Sequence, residues 1–244
     1  MKRIGRESAG HGEEDDVVKR RQRVRISDRR YELLCLDSNT CNLLSAWEAW
    51  RCSQMFYVPI ILGSIRRNRE SIKVAKFVLR YLNEKGSIDA ELLDLRELDL
   101  PMMEERLRFR NDAGPNLLEF SNKIGRAEAI LIVTPEYSGG YPGVLKNALD
   151  YLRSECKWKA FGIITVSAAM TGGILCLNAL RQVILQMGGV PIPTSLMVSK
   201  VQEAFDSEGN PTDPAFHQRA QTYFDEFLWF TEALTVQRAK VSKA

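Results

Sequence analysis

From residue 56 onward, hydrophobic and polar positions fall into two alternating patterns. Short, near-continuous apolar runs occupy 56–62, 90–95, 129–134, 160–167 and 190–198. They lack the apolar–polar alternation of a half-exposed sheet, so they predict strands buried on both faces. Between them, apolar residues recur three and four apart. Residues 69–83 carry Ile72, Val74, Ala75, Val78, Leu79 and Leu82 at that spacing, with a stop at Gly86. The same pattern predicts helices over 116–125, 142–152, 173–187 and 213–238, with Pro142 in a first turn, where proline is tolerated. Five strands alternating with five helices predict a doubly wound α/β domain with a parallel sheet and helices on both faces. Ligands in such sheets bind beyond the carboxyl ends of the strands, at the switch point. The informative residues therefore follow the first, third and fourth strands.

Residues 1–54 break the pattern. They mix charge runs, Glu13-Glu14-Asp15-Asp16 and then Lys19-Arg20-Arg21, with little periodic apolar content. The expectation is a disordered extension ahead of a domain at 55–240, with local order restricted to 31–36 or 43–50.

Composition narrows the classes. The 244 residues are 45% hydrophobic and 27% charged, which suits one core with a polar surface. A net charge of +3 does not suggest a nucleic-acid or membrane-surface partner. No run of 18 apolar residues predicts a membrane span, and no apolar leader is present. Cys35, Cys41, Cys52, Cys156 and Cys176 show no CxxC spacing. They read as reduced thiols, which points to a cytoplasmic compartment. With His11 and His217 as the only histidines, a histidine-rich metal site is not expected.

Three loops carry candidate chemistry. The first runs Gly63-Ser64-Ile65-Arg66-Arg67-Asn68-Arg69-Glu70-Ser71, from a buried strand into a helix N-terminus. Unpaired backbone N–H groups and the helix dipole favour an anion there. Ser64 and Ser71 offer hydroxyls, and Arg66 and Arg69 offer guanidinium forks. The loop is neither a GxxxxGK[ST] nor a GxGxxG motif and holds no cysteine nucleophile. What remains is a phosphate that is held and not cut. The second loop is Pro135-Glu136-Tyr137-Ser138-Gly139-Gly140-Tyr141-Pro142-Gly143. Its prolines and glycines fix a backbone path suited to a flat ring, and it offers no evident nucleophile, so the hard chemistry belongs to a cofactor. The third loop, Ser167-Ala168-Ala169-Met170-Thr171-Gly172-Gly173, has the small residues that let a ligand approach the backbone.

Together these loops resemble the NADPH-dependent FMN reductase family, the flavodoxin-like group that includes azoreductases and chromate and quinone reductases. The resemblance covers residues 55–200. It rests on Gly63-Ser64-x-Arg66 with Arg69, on Pro135-Glu136-Tyr137, on Pro142-Gly143-x-Leu145-Lys146-Asn147-Ala148-Leu149-Asp150, and on Gly172-Gly173. It implies a flavodoxin-like sheet of order 2-1-3-4-5. It also implies an FMN whose phosphate is held by Ser64, Arg66, Arg69 and Ser71. Pro135, Glu136, Tyr137, Ser138 and Gly139 would line the isoalloxazine, and Thr171 and Gly172 would close its other side. NADPH or NADH would reduce the flavin, which would pass two electrons to a small acceptor: a quinone, azo compound, free flavin or oxidised metal species. Arg106, Arg108 and Arg110, after the second strand, read as a solvated basic loop, with contact to the phosphates of the nicotinamide nucleotide as the alternative. Helix pairing through 144–152 and through Phe224, Phe227, Leu228 and Phe230 would give a homodimer or homotetramer. Two positions depart from the family pattern. Ser138 stands where Asn is usual, and Ala169-Met170-Thr171 stands where Gly is usual. An FMN-binding electron carrier without turnover is the alternative, as is a protein that binds another nucleotide at the phosphate site.

Overall fold

The computed structural model describes residues 55–241 and, before them, only the backbone of two short segments. The chain divides at Gln54. In the first unit, β1 (Arg21–Ile26) and β2 (Arg29–Leu34) pair antiparallel, from Arg21 opposite Leu34 to Ile26 opposite Arg29. The second strand overlaps the 31–36 stretch where local order was expected. The other expectations for residues 1–54 lie outside the described residues.

The second unit begins with β3 (Phe56–Leu62), α1 (Ser71–Asn83), β4 (Ile88–Asp94) and the short α2 (Leu95–Leu98). It continues with α3 (Pro115–Arg126), β5 (Ala129–Pro135), α4 (Gly143–Asp150), β6 (Ala160–Val166) and α5 (Ile174–Gln186). It ends with β7 (Val190–Pro191), β8 (Leu196–Val198), α6 (Val201–Ala204) and the long α7 (Ala215–Val241). The sheet runs β4-β3-β5-β6-β7 with every pairing parallel. Counted from β3, this is the expected order 2-1-3-4-5. The chain reverses its direction of winding between β3 and β5, and the crevice outside their carboxyl ends opens there.

The continuous last strand expected over 190–198 is instead two pieces, both parallel to β6. The ladder continues through Ile192, whose N–H donates to the Phe161 carbonyl at 3.0 Å, and lapses at the next donor in line, Thr194. Thr194 N–H is taken up by Glu226 of α7 at 3.0 Å.

Every residue of β6 is buried, as is every residue of β5 except Pro135. One face packs against α3, α4 and α5 through Phe120, Ile124, Leu145, Leu149, Leu177, Leu180 and Ile184. On the other face α1 and α7 meet through rings, with Tyr81 stacked on Phe224 at 4.7 Å and Phe77 edge-on to Phe216 at 5.4 Å. Gly162 belongs to this second layer, since a Cβ there would lie 2.5 Å from the Tyr223 hydroxyl and 3.0 Å from Phe227. The reason given by the sequence for self-association is corrected here. Phe224, Phe227 and Leu228 are core residues, not a spare apolar face.

At the amino end of the sheet Lys159 is buried at 6% exposure. Its Nζ donates to the carbonyls of Ile124 and Gly125, both at 2.6 Å, and so caps the C-terminus of α3. Burial, reinforced by Arg238, pushes its ammonium from 10.5 down to about 8. Between those values the unfolded chain binds a proton that the folded chain has lost, so this group's contribution to stability rises with pH across that window. Comparing urea unfolding of the wild type and Lys159→Met from pH 7.5 to 11 checks this. The expected outcome is a wild-type-minus-variant stability difference that grows with pH from about 8 to about 10.5 and then levels off.

Candidate functional site

Gly63 leaves β3 with its N–H still donating to Val133 of β5 at 2.9 Å. A Cβ at this position would lie 2.8 Å from Thr134 Oγ1 and 2.9 Å from Leu145. Glycine is required here to clear the neighbouring strand and Leu145 of α4. Ser64 follows, fully buried, with its Oγ 2.8 Å from the Tyr137 hydroxyl.

Arg69 is where the structure differs most from the phosphate-binding role assigned to it. Its guanidinium forms a bidentate pair with Asp94, at the end of β4, and donates to the Ser64 carbonyl at 2.6 Å. Both side chains of the pair are nearly buried, at 10% and 4% exposure. Both Nη1 protons are committed within the protein, so Arg69 holds the shape of the loop and does not present a free fork. Arg66 does stay exposed, with its guanidinium 5.7 Å from the centre of the Tyr137 ring.

Helix α1 starts without a cap. Glu70 precedes it and makes no side-chain bond to the helix N-terminus, its carboxylate lying 2.7 Å from Lys73 instead. Ser71, 2% exposed, has a buried hydroxyl with no hydrogen-bond partner. A buried polar atom without a partner costs about 1–3 kcal/mol, and the N–H groups of a first helical turn need acceptors of their own. The donor set of Ser64, Ser71, Arg66 and the bare turn matches a phosphate and lacks only its oxygens.

The second loop carries two built features. Tyr137 and Gly140 bond each other in both directions, at 2.8 and 3.0 Å, around Ser138 and Gly139 with φ of +49° and +76°. This is the two-positive-φ hairpin turn that favours Asn-Gly. At Ser138 the missing amide therefore bears first on backbone conformation. Glu136 makes an antiparallel-free extension of β5, with its N–H donating to Val166 at 3.1 Å. Its carboxylate points away from the turn and accepts the N–H groups of Leu175 and Cys176 at 3.0 and 3.1 Å. Cys176 is buried behind Pro135, and burial together with the Glu136 charge pushes its thiol up to about 12, so it is not a nucleophile.

A cleft of about 230 Å³ lies between these loops. Ser64, Arg66, Arg69, Ser71, Pro135, Glu136 and Tyr137 all line it, as the sequence led one to expect. Ser138, Gly139, Thr171 and Gly172 are not in its wall. Thr171 is exposed, and Gly172 is wedged so tightly that a Cβ would come 2.9 Å from Met197. Thr165, fully buried, donates to the Gly172 carbonyl at 2.7 Å, which makes Gly172 part of the scaffold. The far wall is built by residues that the sequence did not single out for it: Asn68, Ser167, Ala168, Val201 and Gln202. Val201 reaches it because its N–H bonds the Ser167 carbonyl at 3.1 Å, a long-range contact with no local signature.

Arg106, Arg108 and Arg110 do not line the cleft. Arg110 pairs with Asp112 at 2.9 Å, and Arg108 lies over Phe109 at 4.4 Å. The Leu-Lys-Asn tract has a visible structural purpose. Asn147 accepts from Met103 N–H at 2.8 Å and donates to the Pro101 carbonyl at 2.7 Å, which pins the segment after β4 against α4.

Removing the Asp94 carboxylate leaves Arg69 buried without its partner. Asp94→Ala is therefore expected to lower unfolding stability by about 3–5 kcal/mol in urea titrations. Ser138→Asn places the favoured residue in the left-handed position and is expected to raise stability by about 0.5–1 kcal/mol by the same measurement.

With this geometry established, comparison with known proteins gives a consistent result. The sequence model of NADPH-dependent FMN reductases matches residues 57–203. The FMN-dependent NADPH-azoreductase of Staphylococcus aureus is 28% identical over 179 residues, covering 70% of this chain and 93% of that protein. Among solved structures, the NAD(P)H:(acceptor) oxidoreductase FerB of Paracoccus denitrificans superposes with a TM-score of 0.62 at 26% identity, covering 73% of this chain and 98% of that one. An oxidoreductase of Corynebacterium diphtheriae shares the fold, with a TM-score of 0.58 at 18% identity over 76% of this chain and 99% of that one. The chain belongs to the NADPH-dependent FMN reductase family.

Proposed function

We propose that the chain binds FMN with its phosphate at the start of α1 and passes two electrons from NADPH or NADH to a small oxidised acceptor. The observation that carries this reading is the uncapped helix start with the partnerless Ser71 hydroxyl, set in a cleft at the β3–β5 switch point. Membership of the reductase family, with an NADPH-azoreductase and an NAD(P)H:(acceptor) oxidoreductase among its relatives, supports the choice of cofactor and of reaction.

In this reading, FMN supplies the electron chemistry and the protein supplies binding and placement. Ser64 and Ser71 would donate their hydroxyls to the phosphate. The Tyr137 hydroxyl lies 2.8 Å from Ser64 Oγ and either can donate; with Tyr137 as the donor, the serine proton is free for the ligand. Arg66, exposed in the cleft wall, would offer its guanidinium to the phosphate. Arg69 keeps the Ser64 carbonyl turned away from the anion by donating to it. Pro135 and Tyr137 form the wall along the ring.

Protein reconstituted with FMN is expected to oxidise NADPH in a manner that depends on an added quinone. Ser71→Ala and Arg66→Ala are each expected to weaken FMN binding about tenfold or more, the loss of one charge-assisted hydrogen bond. Turnover at saturating FMN should largely survive both changes, because neither residue handles the electrons. NADPH oxidation no faster than that of free FMN would contradict the enzyme reading.

A further inference from the structure

Helix α1 starts in the cleft wall, and the start of α5 is bonded to Glu136, another residue of that wall. The Glu70 carboxylate beside the start of α1, also in the wall, is paired with Lys73 at 2.7 Å, and that start is bare of any side-chain cap. The start of α5 is not, although the residue at its cap position is Gly173, with φ of +87° and no side chain to offer. Its cap comes instead from 39 and 40 residues away, where one oxygen of Glu136 accepts both Leu175 N–H and Cys176 N–H. Gly173 makes room for this arrangement. A Cβ there would stand 2.9 Å from Thr165 Cβ and 3.6 Å from Glu136 Cβ. Glu136 therefore both lines the cleft and carries a full negative charge into it.

A cap needs only an acceptor. A helix N-terminus is worth about half a positive charge, so a carboxylate more than cancels it and leaves about half a negative charge on that wall. A glutamine carbonyl can accept the same two N–H groups and would leave the wall positive.

We propose that Glu136 is a positioning residue that sets the polarity of the cleft. By cancelling the α5 terminus it leaves α1 as the positive helix end, so the phosphate settles at Ser64 and Ser71. It also places a negative wall on the side of Pro135 and Tyr137, the residues that would line the ring. Reduction adds negative charge to the ring, so this wall lowers the potential at which the bound cofactor is reduced and makes it a stronger donor to acceptors. The inference rests on the FMN reading given above.

The test uses the full chain, with and without FMN, in the wild type, Glu136→Gln and Glu136→Ala. For Glu136→Gln, the cofactor-free melting temperature should stay within about 2 °C of the wild type. Its FMN affinity should stay within about threefold. The midpoint potential of its bound FMN, read by spectroelectrochemistry, should shift to a more positive value. Glu136→Ala loses the cap as well and should melt several degrees lower without cofactor, a cap being worth about 1 kcal/mol. An unchanged potential in Glu136→Gln would overturn the proposal and leave Glu136 a cap alone. Loss of FMN by Glu136→Gln at an unchanged melting temperature would also overturn it, because phosphate affinity is assigned to α1. Failure of the wild type to bind FMN would instead sink the cofactor reading.

Discussion

The cleft depends on Arg69 reaching back to the end of β4. The bidentate pair with Asp94 ties the loop after β3 to the neighbouring strand, and the third bond turns the Ser64 carbonyl inward. A charge pair this buried is costly to desolvate and only repays that cost with good geometry, which the bidentate arrangement provides. Its effect is on shape. With the Ser64 carbonyl occupied, the donors of the loop face one way, and an anion meets hydroxyls and N–H groups without an opposing oxygen.

The three loops then act as one body, because side chains join them. Tyr137 bonds Ser64, which connects the second loop to the first. Glu136 holds the start of α5, which connects the second loop to the third, and Thr165 of β6 holds the Gly172 carbonyl. The resulting site needs little reorganisation to receive a ligand, and such preorganisation reduces the entropic cost of binding. Each connection also uses a group that might otherwise contact ligand, so fewer residues remain free for recognition than the motifs suggest.

How much of this could be read from the sequence depends on the range of the interaction. The strands were legible because burial on both faces writes continuous apolar runs, as in 129–134 and 160–167, and the helices because one buried face writes a period near 3.6. The break in the last strand was missed because it is made at Thr194, whose N–H goes to Glu226, 32 positions away in α7. Ser64, Ser71, Pro135 and Tyr137 could be placed together at the cleft because loop position at a strand end suffices for that. Arg69 was assigned to the ligand because its charge is local information, while its partner Asp94 lies 25 positions away. Thr171, read as closing the flavin pocket, is exposed and outside the cleft wall, and the cap of α5 comes from Glu136, a glutamate in another loop. Val201 and Gln202 carry no motif and reach the cleft only through the tertiary fold.

The central claim is that the start of α1 is a phosphate site built by Ser64, Ser71 and Arg66. The most direct measurement compares FMN with riboflavin, which has the same ring and lacks the phosphate, by titration of the cofactor-free chain. The account predicts that FMN binds at least about a hundredfold more tightly, the worth of two charge-assisted hydrogen bonds, and that Ser71→Ala narrows the gap. Equal affinity for the two ligands would contradict it and would require the ring to be held by some other part of the molecule.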